Sequence, residues 1–227
     1  MSEFVSERTS YHAVEGEPPE LASRNVITGG HLWASATCFF FVGFLFAYFY
    51  LRSLDNGGHW RPKGVDPSTV LGTLSTACLV GAAVVVRVGL GHQRHGRPAR
   101  WRREAAIGLA LLLATLGLQV GEWAAQDFGP TQGAYASVFI GWTAMLFVFV
   151  TGTSYWLETI VATAIRYRNV PEETEPPPGH ASGDPFRTAS DIAHPLSLVR
   201  PEATAVSVYL IVLAVIGVIS WIVLYLI

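Results

Sequence analysis

The sequence predicts an all-α, polytopic membrane protein of five transmembrane helices, with its N-terminus cytoplasmic and its C-terminus on the outer side. Three observations lead there. Only 14% of the 227 residues are charged and 51% are hydrophobic, where a soluble domain carries about a quarter charged. The apolar residues fall into five blocks nearly free of charge, at about 31–52, 68–90, 105–125, 134–165 and 203–227, each long enough to cross about 30 Å of hydrocarbon. The cations are lopsided. Arg8, Arg24, Arg87, Arg94, Arg97, Arg100, Arg102, Arg103, Arg166, Arg168, Arg187 and Arg200 fall on one side of the spans, and only Arg52, Arg61 and Lys63 on the other. The arginine-rich side is cytoplasmic by the positive-inside rule, and an odd number of crossings then puts the C-terminus outside.

Residues 1–30 have five glutamates and no apolar core, unlike a secretory signal; they are expected to form a flexible cytoplasmic arm ahead of a membrane domain at 31–227. The first span holds "CFFFVGFLFAYFY", eight aromatic residues in thirteen, including Phe41, Phe44 and Tyr48. Such a run predicts a ring-rich wall facing lipid tails or a partner, and ordinary packing is its simplest use. The outer connection "SLDNGGHWRPKGVDP" is rich in turn residues. The second span follows Pro67 and ends where Arg87 can snorkel to the cytoplasmic surface. Trp101 and Trp123 sit near the ends of the third span, as interface anchors do. The fourth, 134–165, spans about 50 Å at 1.5 Å per residue and must tilt or protrude. A Pro-rich cytoplasmic loop, 168–201, precedes the fifth. Small residues predict packing seams at Ala110, Ala114, Gly117 and Gly121 on the third span and at Gly141, Ala144 and Gly152 on the fourth.

The chemistry available is thin. The seven histidines avoid the span interiors, with His31 at an edge, and the two cysteines, Cys38 and Cys78, lie inside spans where small buried packing is their usual role. No metal or haem cofactor is therefore expected in this chain, and no catalytic residue: there is no nucleophile–base pair and no phosphate loop. A net charge of −2 argues against nucleic acid. Two carboxylates stand out near span ends, Glu122 in the third and Glu158 in the fourth, the latter a candidate partner of Arg166. An ionisable residue in a span is a functional candidate by default, although both lie near enough to an interface to be solvated.

Several stretches, in order, resemble a known family. "FFFVGFLFAYFY" looks like its "FFFAGFFWAFY" helix, "GGHWRPKG" with Trp60 like its G-x-W-P-P turn, and "LQVGEW" with Glu122 and Trp123 like its "LQ-x-x-E-Y". "GAYASVFIGWT" looks like the opening of its long helix and "SWIVLYLI" like its terminal segment. The chain resembles subunit III of haem-copper terminal oxidases, the cytochrome c oxidase subunit 3 family, in a short five-span form. The resemblance covers most of 30–165 and, more weakly, 203–227. There are departures. Thr37 occupies the family's carboxylate position before the aromatic run, Leu146 and Phe149 the positions of a histidine pair, and Val215 and Val218 those of a His and an Asp.

The resemblance implies a non-catalytic subunit of an aerobic respiratory chain, multi-pass in a bacterial cytoplasmic membrane. It would pack against the catalytic subunit I, bind phospholipid, and stabilise turnover and proton uptake, with haem and copper in the partner subunits. Phe41, Phe44, Tyr48, Trp60, Glu122, Trp123, Glu158 and Arg166 are the candidate packing, partner or lipid contacts. The replaced polar positions leave open an accessory subunit of a nitric-oxide reductase or other respiratory assembly. A small lipid-handling or transport protein is the reading from a different class, and it would need polar groups or broken helices near mid-membrane.

Overall fold

Long uninterrupted apolar runs can satisfy their backbone in hydrocarbon only as helices or closed barrels, and helices are what form. The computed structural model describes residues 19–55, 57, 60–166 and 199–227, and among these there is no strand. The helices are α1 (Pro19–Ser53), α2 (Thr69–Arg94), α3 (Pro98–Ala124), α4 (Ala134–Arg166) and α5 (Val199–Trp221). A single π-helical turn, Ile222–Leu226, continues α5. All five are long and apolar enough to cross a bilayer.

The helices overrun the apolar blocks on the arginine-rich side. α1 starts at Pro19, so residues 19–30, expected as part of a polar arm, form its first turns. Residues 1–18 and most of the 168–201 loop lie outside the described residues. Gly30 explains why the early turns of α1 pack: a Cβ there would lie 2.8 Å from that of Ala205 on α5. The α2–α3 connection is three residues long. Gly96 takes a left-handed φ of 69°, and the amides of Gly96 and Arg97 return to the Gln93 and His92 carbonyls (3.1 and 2.9 Å), the paired bonds of a Schellman cap. Pro98 then opens α3 at a position that needs no N–H.

Around the bundle the order is α1–α5–α2–α3–α4 and back to α1, with α4 and α5 also touching. α5 is the most enclosed helix. The outer face is large and apolar, with Phe39 82% exposed and Phe46, Val70 and Tyr155 similarly outward. Lipid tails are as apolar as these side chains, so nothing drives them inward. The aromatic run of α1 therefore divides. Phe39, Phe46, Phe49 and Tyr50 face out, Phe41 and Tyr48 are buried, and Phe44 is half-buried against Trp142.

The small-residue seam expected on α3 is not the one used inside the chain. Ala110, Ala114, Gly117 and Gly121 are exposed, and a Cβ at Gly117 or Gly121 would meet nothing within 4 Å. The buried face of α3 is Trp101, Ala105, Gly108, Leu112, Thr115, Gln119 and Glu122. It meets Gly72, Ser75, Leu79, Ala82, Val86 and Gly89 of α2. Both sets alternate steps of three and four, the spacing of a left-handed helix pair. Ser75 and Thr115 donate to each other's carbonyls at 3.4 Å where the pair meets. A Cβ on Gly108 would lie 2.4 Å from Val86 Cγ2. Gly108→Ala is accordingly expected to destabilise the fold by about 1–2 kcal/mol, measured by SDS titration in detergent, and Gly117→Ala to be neutral within about 0.5 kcal/mol. Equal effects would mean that α3 presents the other face to α2.

Candidate functional site

Polar side chains inside a membrane bundle are expensive unless paired, so the place where they converge is the place to examine. They converge at the end that carries the α1–α2 and α3–α4 connections. Glu122, one turn from the end of α3, is 1% exposed. The expectation that it is solvated at an interface is corrected: neighbouring helices enclose it. Tyr225 Oη donates to its Oε1 at 2.6 Å and Gln119 Nε2 to its Oε2 at 3.0 Å. Gln119 and Glu122 share a face because they are three residues apart on one helix. Tyr225 arrives from the π turn, passing over Gly72 of α2, where a Cβ would lie 2.4 Å from the phenol ring. Only glycine leaves room for that crossing.

The π turn itself is clasped from α4. Tyr135 Oη donates to the Leu224 carbonyl at 2.5 Å, which satisfies one of the last-turn carbonyls that have no donor within the described helix. Trp142 Nε1 donates to Ser220 Oγ at 2.7 Å, and Trp221 Nε1 to Thr73 Oγ1 at 3.0 Å. Each helix beside this end of α5 is thus held by at least one side-chain hydrogen bond: α2 through Thr73, α3 through Glu122, α4 through Tyr135 and Trp142. A cavity of about 30 Å³ lies between these four helices, faced by Ser75, Thr115, Gln119, Thr143, Ser220 and Tyr225. Its size suits one or two waters, and its walls offer them polar partners.

Trp123, beside Glu122 in sequence, points elsewhere. Its Nε1 donates to Thr143 Oγ1 on α4 at 3.1 Å and its ring meets Phe147 at 5.2 Å. Trp60 lies edge-on to Tyr48 (5.1 Å) and to Tyr135 (5.9 Å), and its backbone N–H donates to Asp55 at 2.6 Å. Arg61 sits over the Tyr135 ring and pairs with Asp66 at 2.9 Å. The α1–α2 connection is therefore docked on the bundle through the aromatic faces of Trp60 and Tyr135. Phe41 and Phe44 pack against Trp142, and Phe41 also against Phe149.

Thr37 is 2% exposed and lies apart from Glu122, on α1. It donates to the Trp33 carbonyl at 2.9 Å, and its hydroxyl oxygen lies 3.1 Å from Tyr209 Oη on α5. Glu158 and Arg166 are exposed on the surface of α4, separated by eight residues or about 12 Å of helix rise. The structure thus gathers Glu122, Trp123, Trp60 and Tyr48 toward one end, and leaves Glu158 and Arg166 outside the polar cluster.

Tyr135, Tyr209, Gln119, Thr143 and Ser220 were not singled out by the sequence, and Tyr225 figured only within the terminal "SWIVLYLI" stretch. The Gln119–Glu122 spacing was a usable signal, whereas nothing in "IVLYL" announces a π turn. Among the described residues no group of three His, Cys, Asp or Glu side chains could hold a metal ion. The arrangement binds helices to one another.

No family model matches the chain. It is 28% identical over 155 residues to cytochrome c oxidase subunit 3 of Ornithorhynchus anatinus, covering 65% of this chain and 59% of that protein. It is 28% identical over 131 residues to cytochrome c oxidase subunit 3 of Tachyglossus aculeatus aculeatus (55% and 50%). With the same subunit of Gallus gallus it shares 26% over 167 residues (69% and 62%). The matches span 50 to 62% of the length of these curated relatives.

Proposed function

We infer, for a chain of the cytochrome c oxidase subunit 3 family, that it serves as a non-catalytic, multi-pass subunit of a haem-copper terminal oxidase. In this reading it packs against the catalytic subunit I, contacts phospholipid, and supports turnover and proton uptake, while haem and copper reside in the partner subunits. The observation that carries the reading is the sequence match to three subunit 3 proteins over 131 to 167 residues. The bundle is compatible with it. Side-chain hydrogen bonding and aromatic packing fix the helices relative to one another, and the exposed apolar flanks are free for lipid and for a larger membrane partner. The proposed orientation places the start of α1 and the α2–α3 connection in the cytoplasm of a bacterium, following the arginine bias.

In this role Glu122 and Trp123 shape the outer end, Phe41, Phe44, Tyr48 and Trp60 hold the ring-rich wall of α1, and Glu158 and Arg166 offer polar contacts to a partner. The test is mild-detergent purification of the full chain from its native membrane, followed by a visible absorption spectrum and mass spectrometry of the co-purifying subunits. Haem bands together with an oxidase subunit I are expected. A preparation with neither haem nor a large partner would sink the reading, and one with a nitric-oxide reductase would redirect it.

A further inference from the structure

The α2 ridge is flanked by two grooves, with Arg87, Arg100 and Arg103 on their walls. Val84 and Val88 are 57% and 51% exposed and line both grooves. On one flank, between α2 and α3, lies a groove of about 500 Å³ that also reaches Ile107, His92, Arg100 and Arg103. On the other, between α2 and α5, lies a groove of about 470 Å³ whose walls are apolar apart from Arg87. His92 is two turns of helix, about 12 Å, beyond Val84, so the first groove is apolar toward the membrane centre and charged toward the α2–α3 connection. Its single carboxylate is already engaged: Glu104 Oε2 lies 2.8 Å from His92 Nδ1. Among the described residues Arg87, Arg100 and Arg103 have no carboxylate within salt-bridge distance.

We propose that this ridge is the seat of one anionic, two-chained phospholipid. Its phosphate sits on Arg100 and Arg103, and its acyl chains run down the two flanks of Val84 and Val88. The charge calls for an anion, and a guanidinium matches phosphate oxygens in a planar, bidentate fashion. The apolar walls call for hydrocarbon below that anion, which a free phosphate does not supply. Two grooves on either side of one ridge call for two chains. Basic pockets between membrane helices on the cytoplasmic side suit acidic headgroups, and the arginine bias puts this connection on that side. The inference deepens the phospholipid contact proposed above by giving it a place and a lipid class.

The experiment uses the full-length protein with whatever assembly it purifies in, stripped of lipid by detergent washing. It is titrated separately with phosphatidylglycerol, phosphatidylcholine and sodium phosphate, and read by native mass spectrometry. One phosphatidylglycerol is expected to bind, with phosphatidylcholine at least tenfold weaker and phosphate unable to displace it. R100Q/R103Q should weaken phosphatidylglycerol about tenfold or more, and R100K/R103K by less. V88W, which fills the grooves and leaves the charge, should weaken both lipids. All three positions are exposed, so folding is expected to survive, and an unchanged elution volume checks that it does. Equal binding of the two lipids, displacement by phosphate, or an indifferent R100Q/R103Q would overturn the proposal. So would a photo-crosslink from residue 88 to a polypeptide, which would show a protein covering the ridge. Haem content is read on the same sample. Haem without phosphatidylglycerol selectivity defeats this inference alone, and selectivity without haem or an oxidase partner defeats the oxidase reading alone.

Discussion

Trp142→Ala is expected to destabilise the protein by about 3–5 kcal/mol, the range for removing a buried indole. Trp142 is 1% exposed. Its ring lies 6.3 Å from Phe41 and 5.9 Å from Phe44, and its Nε1 is bonded to Ser220. It therefore joins α1, α4 and α5 at once. Transfer from water contributes little in a bilayer, so the loss comes from dispersion contacts and from a void that the helices cannot close. Trp142→Phe keeps most of the ring contacts and strands one hydroxyl contact, and should cost about 1 kcal/mol. Both are measured by SDS titration of the full-length protein in detergent. One outcome would limit the claim. Trp142 walls an apolar groove of about 260 Å³ between α1 and α5. A loss below about 1 kcal/mol for the alanine variant would mean that detergent enters from that groove and fills the void.

Glu122→Ala should come next, at about 2–3 kcal/mol. It strands two donors, the part-buried Tyr225 Oη and the buried Gln119 Nε2, each costing about 1 kcal/mol or more when left unpaired. Hydrogen bonds measured inside membrane proteins average only about 0.6 kcal/mol, which sets the estimate near the lower end of what a soluble protein would lose. Glu122→Gln keeps an acceptor for Tyr225 and should lose less than half as much. Tyr225→Phe should lose about 1 kcal/mol. The decisive quantity is the coupling in the double variant, expected at about 1–2 kcal/mol because the two groups touch. Additive losses would show that Glu122 matters through some contact other than the phenol. Since both partners belong to this chain, the loss should appear in the isolated protein as well as in any complex.

The five helices were legible because block length and charge asymmetry are set by bilayer thickness and surface potential, which any spanning sequence must answer to. Their ends on the arginine-rich side were not, because polar helix continues past the hydrocarbon: residues 19–30 carry Arg24 and a Gly-Gly pair and still form turns of α1. The inward face of α3 was misread for a related reason. In water an apolar stripe marks the core, whereas in lipid both faces are apolar and the stripe carries little information. Choosing small residues favoured Ala110–Gly121, and the face actually buried is marked by Thr115, Gln119 and Glu122, polar groups that could not be left in hydrocarbon. Thr37 read from sequence as a lost carboxylate. Its hydroxyl instead has a partner, Tyr209, visible only when α1 and α5 are set side by side. The position of Tyr225 over Gly72 depends on a π turn, a local register change that composition does not encode.

The enclosure of α5 has a consequence for biogenesis. A ribosome adds about 5–20 residues per second, so the roughly 145 residues between Ser53 and Val199 occupy about 7–30 s. During that interval α2 and α3 can already close as a hairpin, because their seams belong to neighbouring segments. The first helix meanwhile waits in the bilayer without the surface that Gly30 and Thr37 are shaped to meet, and Glu122 waits without Tyr225. Burial of that carboxylate is thus deferred until α5 enters, so the nascent protein holds an incompletely partnered acid while the roughly 100 residues that separate Glu122 from Tyr225 are made.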